Sequence, residues 1–116
     1  MDSILTSIKK LLGITAECVD FDDIVIMHIN SVFRDLKQIG VGPPEGFYIE
    51  DASVTWDEYV LSPLEYSAIK SYVYLKVRLL FDPPQNSSHL ESIKEQIREH
   101  EWRLNFDAES SIETTS

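Results

Sequence analysis

The sequence predicts a mainly α fold: a small bundle of about four helices, with a long Gly/Pro-containing loop or short β-hairpin between helices 2 and 3, and a disordered acidic C-terminal tail. Three observations carry that expectation. Leu64 to Pro84 repeats apolar residues at helical spacing on two sides, and Gly40 to Gly46 gathers glycines and prolines that no helix crosses. The segment DAESSIETTS at the end is acidic, rich in hydroxyls and almost without apolar anchors. The chain divides accordingly into a helical domain at 1–106 and a flexible tail at 107–116. With 43% hydrophobic residues in 116, it carries material for one modest core.

The first helix is short and amphipathic. Ile4, Leu5, Ile8, Leu11 and Leu12 share a face, Asp2 or Ser3 can accept from the free N–H groups of the first turn, and Gly13 stops it. The second runs from Asp23 to Ile39, with Asp20 or Asp22 as cap. Its stripe of Val25, Ile29, Val32, Leu36 and Ile39 is that of a helix lying against another helix.

After Gly40 the composition changes. Between Val41 and Val60 stand five acids, no basic residue and the aromatics Phe47, Tyr48, Trp56 and Tyr59. Aromatics at that density argue for a structured loop that docks, either on its own core or on a neighbouring subunit. Thr55 with Glu58 forms a capping box for a single turn, and Ser62-Pro63-Leu64-Glu65 forms a fuller one that starts the third helix at Pro63.

The third helix is the centre of the chain. Leu64, Ala68, Tyr72, Leu75 and Leu79 make one apolar stripe, and Ile69, Val73, Val77 and Leu80 make a second beside it. A narrow polar line remains in Ser67, Ser71, Tyr74 and Arg78, so the helix belongs in the middle of a core. Its roughly 18 residues span about 27 Å. Asp82-Pro83-Pro84 ends it near Phe81 by removing helical geometry and two backbone donors. The last helix opens at a capping box of Ser88 and Glu91 and has a single stripe, Leu90, Ile93, Ile97, His100 and Leu104.

Charge and motifs narrow the function. A net charge of -10 repels duplex DNA and anionic lipid. The lone Cys18 excludes an internal disulfide framework and suits a reducing compartment. No secretory signal is expected, because Met1 to Leu12 mixes Asp2, Lys9 and Lys10 with apolar residues, and no membrane span, because Lys70, Lys76 and Arg78 interrupt the most apolar stretch. His28, His89 and His100 lie in different segments without the spacing of a helical metal site, so His28 and His100 read as partly buried helix residues. Gly40-Val41-Gly42 runs into prolines and opens no phosphate-binding helix, and the serines lack a nucleophile elbow. The sequence does not read as an enzyme, and no cofactor is expected.

The order of its pieces is more specific than any one of them. A short helix IKKLLGI, the phrase IMHINSVF, the loop GVGPPEGFYIED followed by TWDEY, the helix IKSYVYLKVRLLFDPP and a closing EWRLN together resemble the head-tail connector, or adaptor, family of long-tailed phages and prophages, from about Ile4 to Asn105. The resemblance implies a non-enzymatic structural subunit of the virion neck, assembled in the bacterial host cytoplasm. It implies a cyclic ring of about a dozen copies with heterologous contacts, set beneath the portal protein. Such a ring extends the DNA channel, lets the genome pass without specific binding, and docks a stopper or tail-completion protein.

Carried onto this chain, the resemblance places Trp102, Leu104, Asn105, Phe106 and Ile112 as candidates for portal contact. Phe47, Tyr48, Ile49, Trp56 and Tyr59 are candidates for subunit or stopper contacts, joined by Lys70, Tyr74 and Arg78 on the central helix. Glu45, Glu50, Asp51, Asp57 and Glu58 are candidates for the channel wall, where negative charge repels phosphates, or else face outer solvent. A different class stays open beside this: an acidic helical binding module that mimics DNA or inhibits a partner. That reading needs acids at phosphate-like spacing on one face, whereas here they are scattered over loop, last helix and tail.

Overall fold

The computed structural model describes the backbone of residues 2–59 and 63–115, and the side chains of all of these except 63, 64 and 108–115. Four helices follow one another, α1 (Ile4–Leu11), α2 (Asp22–Gln38), α3 (Pro63–Phe81) and α4 (Ser87–Thr115), with a 3-10 turn at Trp56–Glu58 ahead of α3. No strand occurs among the described residues. Where a hairpin was one alternative, the connection after α2 is loop, tied to the start of α1 by an isolated antiparallel bridge between Ser3 and Thr55. Ile4 N–H donates to the Val54 carbonyl at 3.0 Å and Trp56 N–H to the Asp2 carbonyl at 3.1 Å.

Local chemistry sets the boundaries. The Ser3 hydroxyl caps α1 by accepting from Thr6 N–H at 3.2 Å, and Gly13 leaves the helix at a φ of 84°, where a side chain is strained. The start of α2 differs from the sequence reading. Phe21 is its cap residue and makes no side-chain cap bond, while Asp22 is the first helical residue. Neither Asp20 nor Asp22 caps it, because the Asp22 carboxylate is drawn to Lys9 at 2.8 Å. Asp22 and Asp23 still place negative charge on the positive end of the helix dipole.

α3 packs against each of the other three helices. Ile69, Tyr72, Val73, Leu75 and Val77 are buried on it, while Ser67 and Ser71 are exposed and Tyr74 and Arg78 half-buried. A fully buried apolar side chain contributes about 1.5–3 kcal/mol by leaving water. With five buried residues, α3 contributes as many to the core as α2 does. Val25, Ile29, Val32, Phe33 and Leu36 of α2 and Ile4, Leu5 and Ile8 of α1 complete it from one side, Ile93, Ile97 and Leu104 of α4 from the other. The serine cap expected at Ser62 lies outside the described residues.

α4 departs from expectation at both ends. Its cap is Asn86, whose Oδ1 accepts from His89 N–H at 3.1 Å; Ser88 lies in the first turn, and Glu91 pairs with Lys94 at 3.7 Å. At the other end the backbone of 107–115 continues the helix, where the composition predicted a disordered tail. Composition spoke to packing. No glycine or proline follows Pro84, so once the helix is nucleated nothing in the chain stops its propagation.

Polar ties cross the helices. Lys9 is 3% exposed, and its ammonium donates to the carbonyls of Ala16 at 3.3 Å and Cys18 at 2.7 Å beside its ion pair with Asp22. One buried cation thereby fixes α1, the linker and α2. Lys76 of α3 reaches Asp35 of α2 at 3.0 Å and Glu101 of α4 at 3.8 Å, and Tyr72 donates its hydroxyl to Glu101 at 2.9 Å.

Candidate functional site

The loop between α2 and α3 docks on its own core. Asn30, in mid-α2, offers its side-chain amide to the loop backbone as a strand would. Its Nδ2 donates to the Ile49 carbonyl at 2.9 Å and its Oδ1 accepts from Ile49 N–H at 2.8 Å. Phe33 contacts Phe47 at 5.1 Å and Tyr59 at 4.7 Å between ring centroids, and Trp56 meets Tyr66 at 5.8 Å. The Trp56 indole N–H is satisfied by Ser7 Oγ at 2.7 Å. Gly42 permits the close return of the chain: at a φ of +93°, a Cβ there would sit 2.7 Å from the Tyr59 hydroxyl.

Several residues assigned from sequence to subunit contacts are therefore core. Ile49, Trp56 and Tyr59 are buried and Phe47 is half-buried, because the aromatic cluster closes over Phe33. Tyr48 is the exception at 66% exposed. Among the cations, Lys70 lies over the Tyr66 ring and within 3.2 Å of its hydroxyl, and Arg78 donates to the Tyr74 hydroxyl at 3.3 Å. Lys70, Tyr74 and Arg78 stay half-buried along the polar line of α3.

The loop acids fall into two groups. Asp51 accepts from the Ser53 hydroxyl at 2.5 Å and amide at 2.8 Å, and these bonds hold its carboxyl below the ordinary carboxylate range. Glu58 closes the capping box by accepting from Thr55 N–H at 2.8 Å, and the Thr55 hydroxyl lowers the pKa of Asp57. These three acids organise turns. Glu45 and Glu50 are exposed on either side of Tyr48.

The far half of α4 carries the most exposed aromatic surface. Trp102 and Phe106 are 69% and 55% exposed, one helical turn apart, with rings stacked at 5.6 Å and 15°. The other residues that the resemblance assigns to portal contact separate from them. Leu104 is buried, and Asn105 turns inward to donate to the Ile39 carbonyl at 3.1 Å, closing the C-terminal end of α2. The side chain of Ile112 lies outside the described residues.

A second surface is an open groove of about 430 Å³ between α2, α3 and α4. Leu79, Leu80 and Ile97 form its apolar lining, and Lys76, Lys94 and Arg98 its cationic rim. Leu80 continues the stripe of Ile69, Val73 and Val77, each fully buried, yet is itself 53% exposed. The apolar side of α3 thus runs out from under its neighbours at this end.

Among the described residues, no group of three or more His, Cys, Asp and Glu is placed to hold a metal ion. His28 and His100 are half-buried, and desolvation lowers the pKa of His100. No described helix is long and apolar enough to cross a membrane. Sequence reasoning overlooked Lys9, Ser7 and Asn30, and gave Asn105 a portal contact where its amide instead bonds the end of α2. The two asparagines did carry a signal, since asparagine is a poor interior helix residue that finds use where its amide can bond a backbone.

Residues 4–111 match the family described as phage connector protein. The chain belongs to that family, which implies a structural protein of the virion neck that contacts other phage head or tail components. No curated protein and no solved structure gives a significant match.

Proposed function

We propose that this protein is the head-tail adaptor of the neck: a ring of about a dozen subunits in cyclic symmetry that binds the portal, extends the DNA channel, and presents the docking surface for a stopper or tail-completion protein. The observation that supports it best, within the connector family, is the stacked Trp102–Phe106 pair left in solvent on α4. Exposed aromatic pairs are costly to leave wet and are the common anchors of protein interfaces. The pair forms the portal-facing anchor, and the helix beyond it, including Ile112, docks alongside.

In this reading the loop acids Glu45, Asp57 and Glu58 supply negative charge that keeps DNA phosphates from adhering as the genome slides past. Glu58 does so while also bonding its own turn. Mixing purified protein with its portal and imaging the complex tests the proposal. A ring of density appended to the portal is the expected result, and portal particles left bare at every protein concentration would remove it.

A further inference from the structure

The groove and the loop occupy nearly opposite flanks of α2. Asn30 and Phe33 hold the loop, while Ser31 and Asp35 border the groove. At roughly 100° per residue, the mean directions of these two pairs differ by about 150°. A cyclic ring needs two different patches on opposed sides of each subunit, so that one subunit's first patch meets its neighbour's second.

The two patches are complementary in chemistry. The loop presents Tyr48, the one loop aromatic in solvent, between Glu45 and the Glu50-Asp51 pair, in a stretch without a basic residue. The groove offers uncovered apolar surface at Leu80, beside half-buried Leu79 and above buried Ile97, under three cations. In a chain of net charge -10, a cleft bordered by Lys76, Lys94 and Arg98 with Asp35 as its one acid is distinctive. Lys76 is held by Asp35 at 3.0 Å, but Lys94 and Arg98 have only solvent-exposed partners three residues away, Glu91 at 3.7 Å and Glu95 at 2.6 Å. Such exposed pairs are worth little and exchange readily for a better-placed carboxylate.

We infer that the loop tip of one subunit seats in the α2–α3–α4 groove of the next copy. Tyr48 covers Leu80 and the exposed part of Leu79 above Ile97, and Glu50 and Asp51 face Lys94 and Arg98. This rests on the ring reading and names the pair of surfaces that closes the ring. The groove then receives a second copy of this chain, and the Trp102–Phe106 face stays free for another component.

Two half-blocked variants test it. Tyr48→Asp keeps its groove and loses its loop contact; Leu80→Glu keeps its loop and loses its groove. Both changes fall at exposed positions, so circular dichroism and melting stay near wild type. Isotope-labelled Tyr48→Asp, mixed with unlabelled Leu80→Glu at the highest soluble concentration, should show amide shift changes confined to the ends of the groove near Leu79, Leu80 and Ile97. They should saturate as a one-to-one pair. The absence of shifts, or the same shifts when the added protein also carries Tyr48→Asp, would overturn the inference. So would groove shifts produced by portal alone, which would make the portal the occupant.

A second measurement separates this inference from the reading beneath it. On portal, each variant should load rings less well than wild type by on the order of tenfold or more, whereas Val19→Asp, exposed elsewhere, should load normally. Variants that build complete rings defeat the loop-and-groove pairing and leave the adaptor reading standing. Wild type that never binds portal defeats the adaptor reading instead.

Discussion

Trp56 and Ser7 lie 49 residues apart in sequence, and the indole N–H of the first donates to the hydroxyl of the second at 2.7 Å inside the core. Ser7 Oγ donates in turn to the Ile4 carbonyl at 3.1 Å, so a single hydroxyl connects α1 to the turn that ends the long loop. Ser7→Ala leaves the buried N–H without an acceptor, at a cost of about 1–3 kcal/mol. Urea unfolding should report that loss with the slope unchanged, and a variant as stable as wild type would show that Trp56 does not depend on this bond.

The helices were legible in the sequence because periodicity, proline and glycine all act locally. The third helix begins at Pro63 and ends at Phe81, just ahead of Pro83-Pro84, and Thr55 with Glu58 forms the expected turn. The loop residues were harder to place. Phe47, Ile49, Trp56 and Tyr59 carry the composition of a binding surface, and nothing local shows that Phe33, Asn30 and Ser7 wait to receive them. Lys9 was equally opaque, since a lysine beside Lys10 reads as surface until the fold supplies two carbonyls and Asp22. Of the residues assigned to portal contact, Trp102 and Phe106 share a face while Leu104 and Asn105 point away from it. Burial within one helix follows from spacing, but which exposed face meets a partner does not.

Lys9 supports a second prediction. Lys9→Met removes the cation from a site only 3% exposed and strips Asp22 and two carbonyls of their partner. Breaking a buried ion pair from one side costs about 3–5 kcal/mol, and the 24% exposure of the Asp22 side chain points to the lower end of that range. Adding Asp22→Leu should recover part of the loss. A double variant no more stable than Lys9→Met would assign Lys9 to packing and carbonyl bonds alone.

Stability should also fall at alkaline pH. Burial, reinforced by the hydrogen bond to Glu101, raises the pKa of Tyr72, and burial raises that of Tyr59. The fold therefore favours both phenols protonated. Their contribution is fully present below the unfolded value of about 10 and declines above it, as the unfolded chain releases its protons first. Urea midpoints compared below and above about pH 10 should drop, and Tyr72→Phe should show a shallower decline. Equal midpoints across that range would contradict the assignment.

Trp102→Ala combined with Phe106→Ala should leave the melting temperature close to wild type, since both rings stand in solvent, and should weaken portal binding by about 2 kcal/mol or more if they are interface anchors. Removing residues 107–116 should act in the same direction. A large fall in melting temperature in either case would mean that this part of α4 supports the fold, and unchanged binding would move the portal contact elsewhere.

The central claim is that copies of this chain assemble as a ring on the portal. Electron microscopy of portal incubated with an excess of the full-length protein measures that directly. One closed ring coaxial with the portal channel, with the α4 ends toward the portal, is the predicted result. Portal particles that stay bare, or carry scattered single copies without closure at saturating protein, would contradict it.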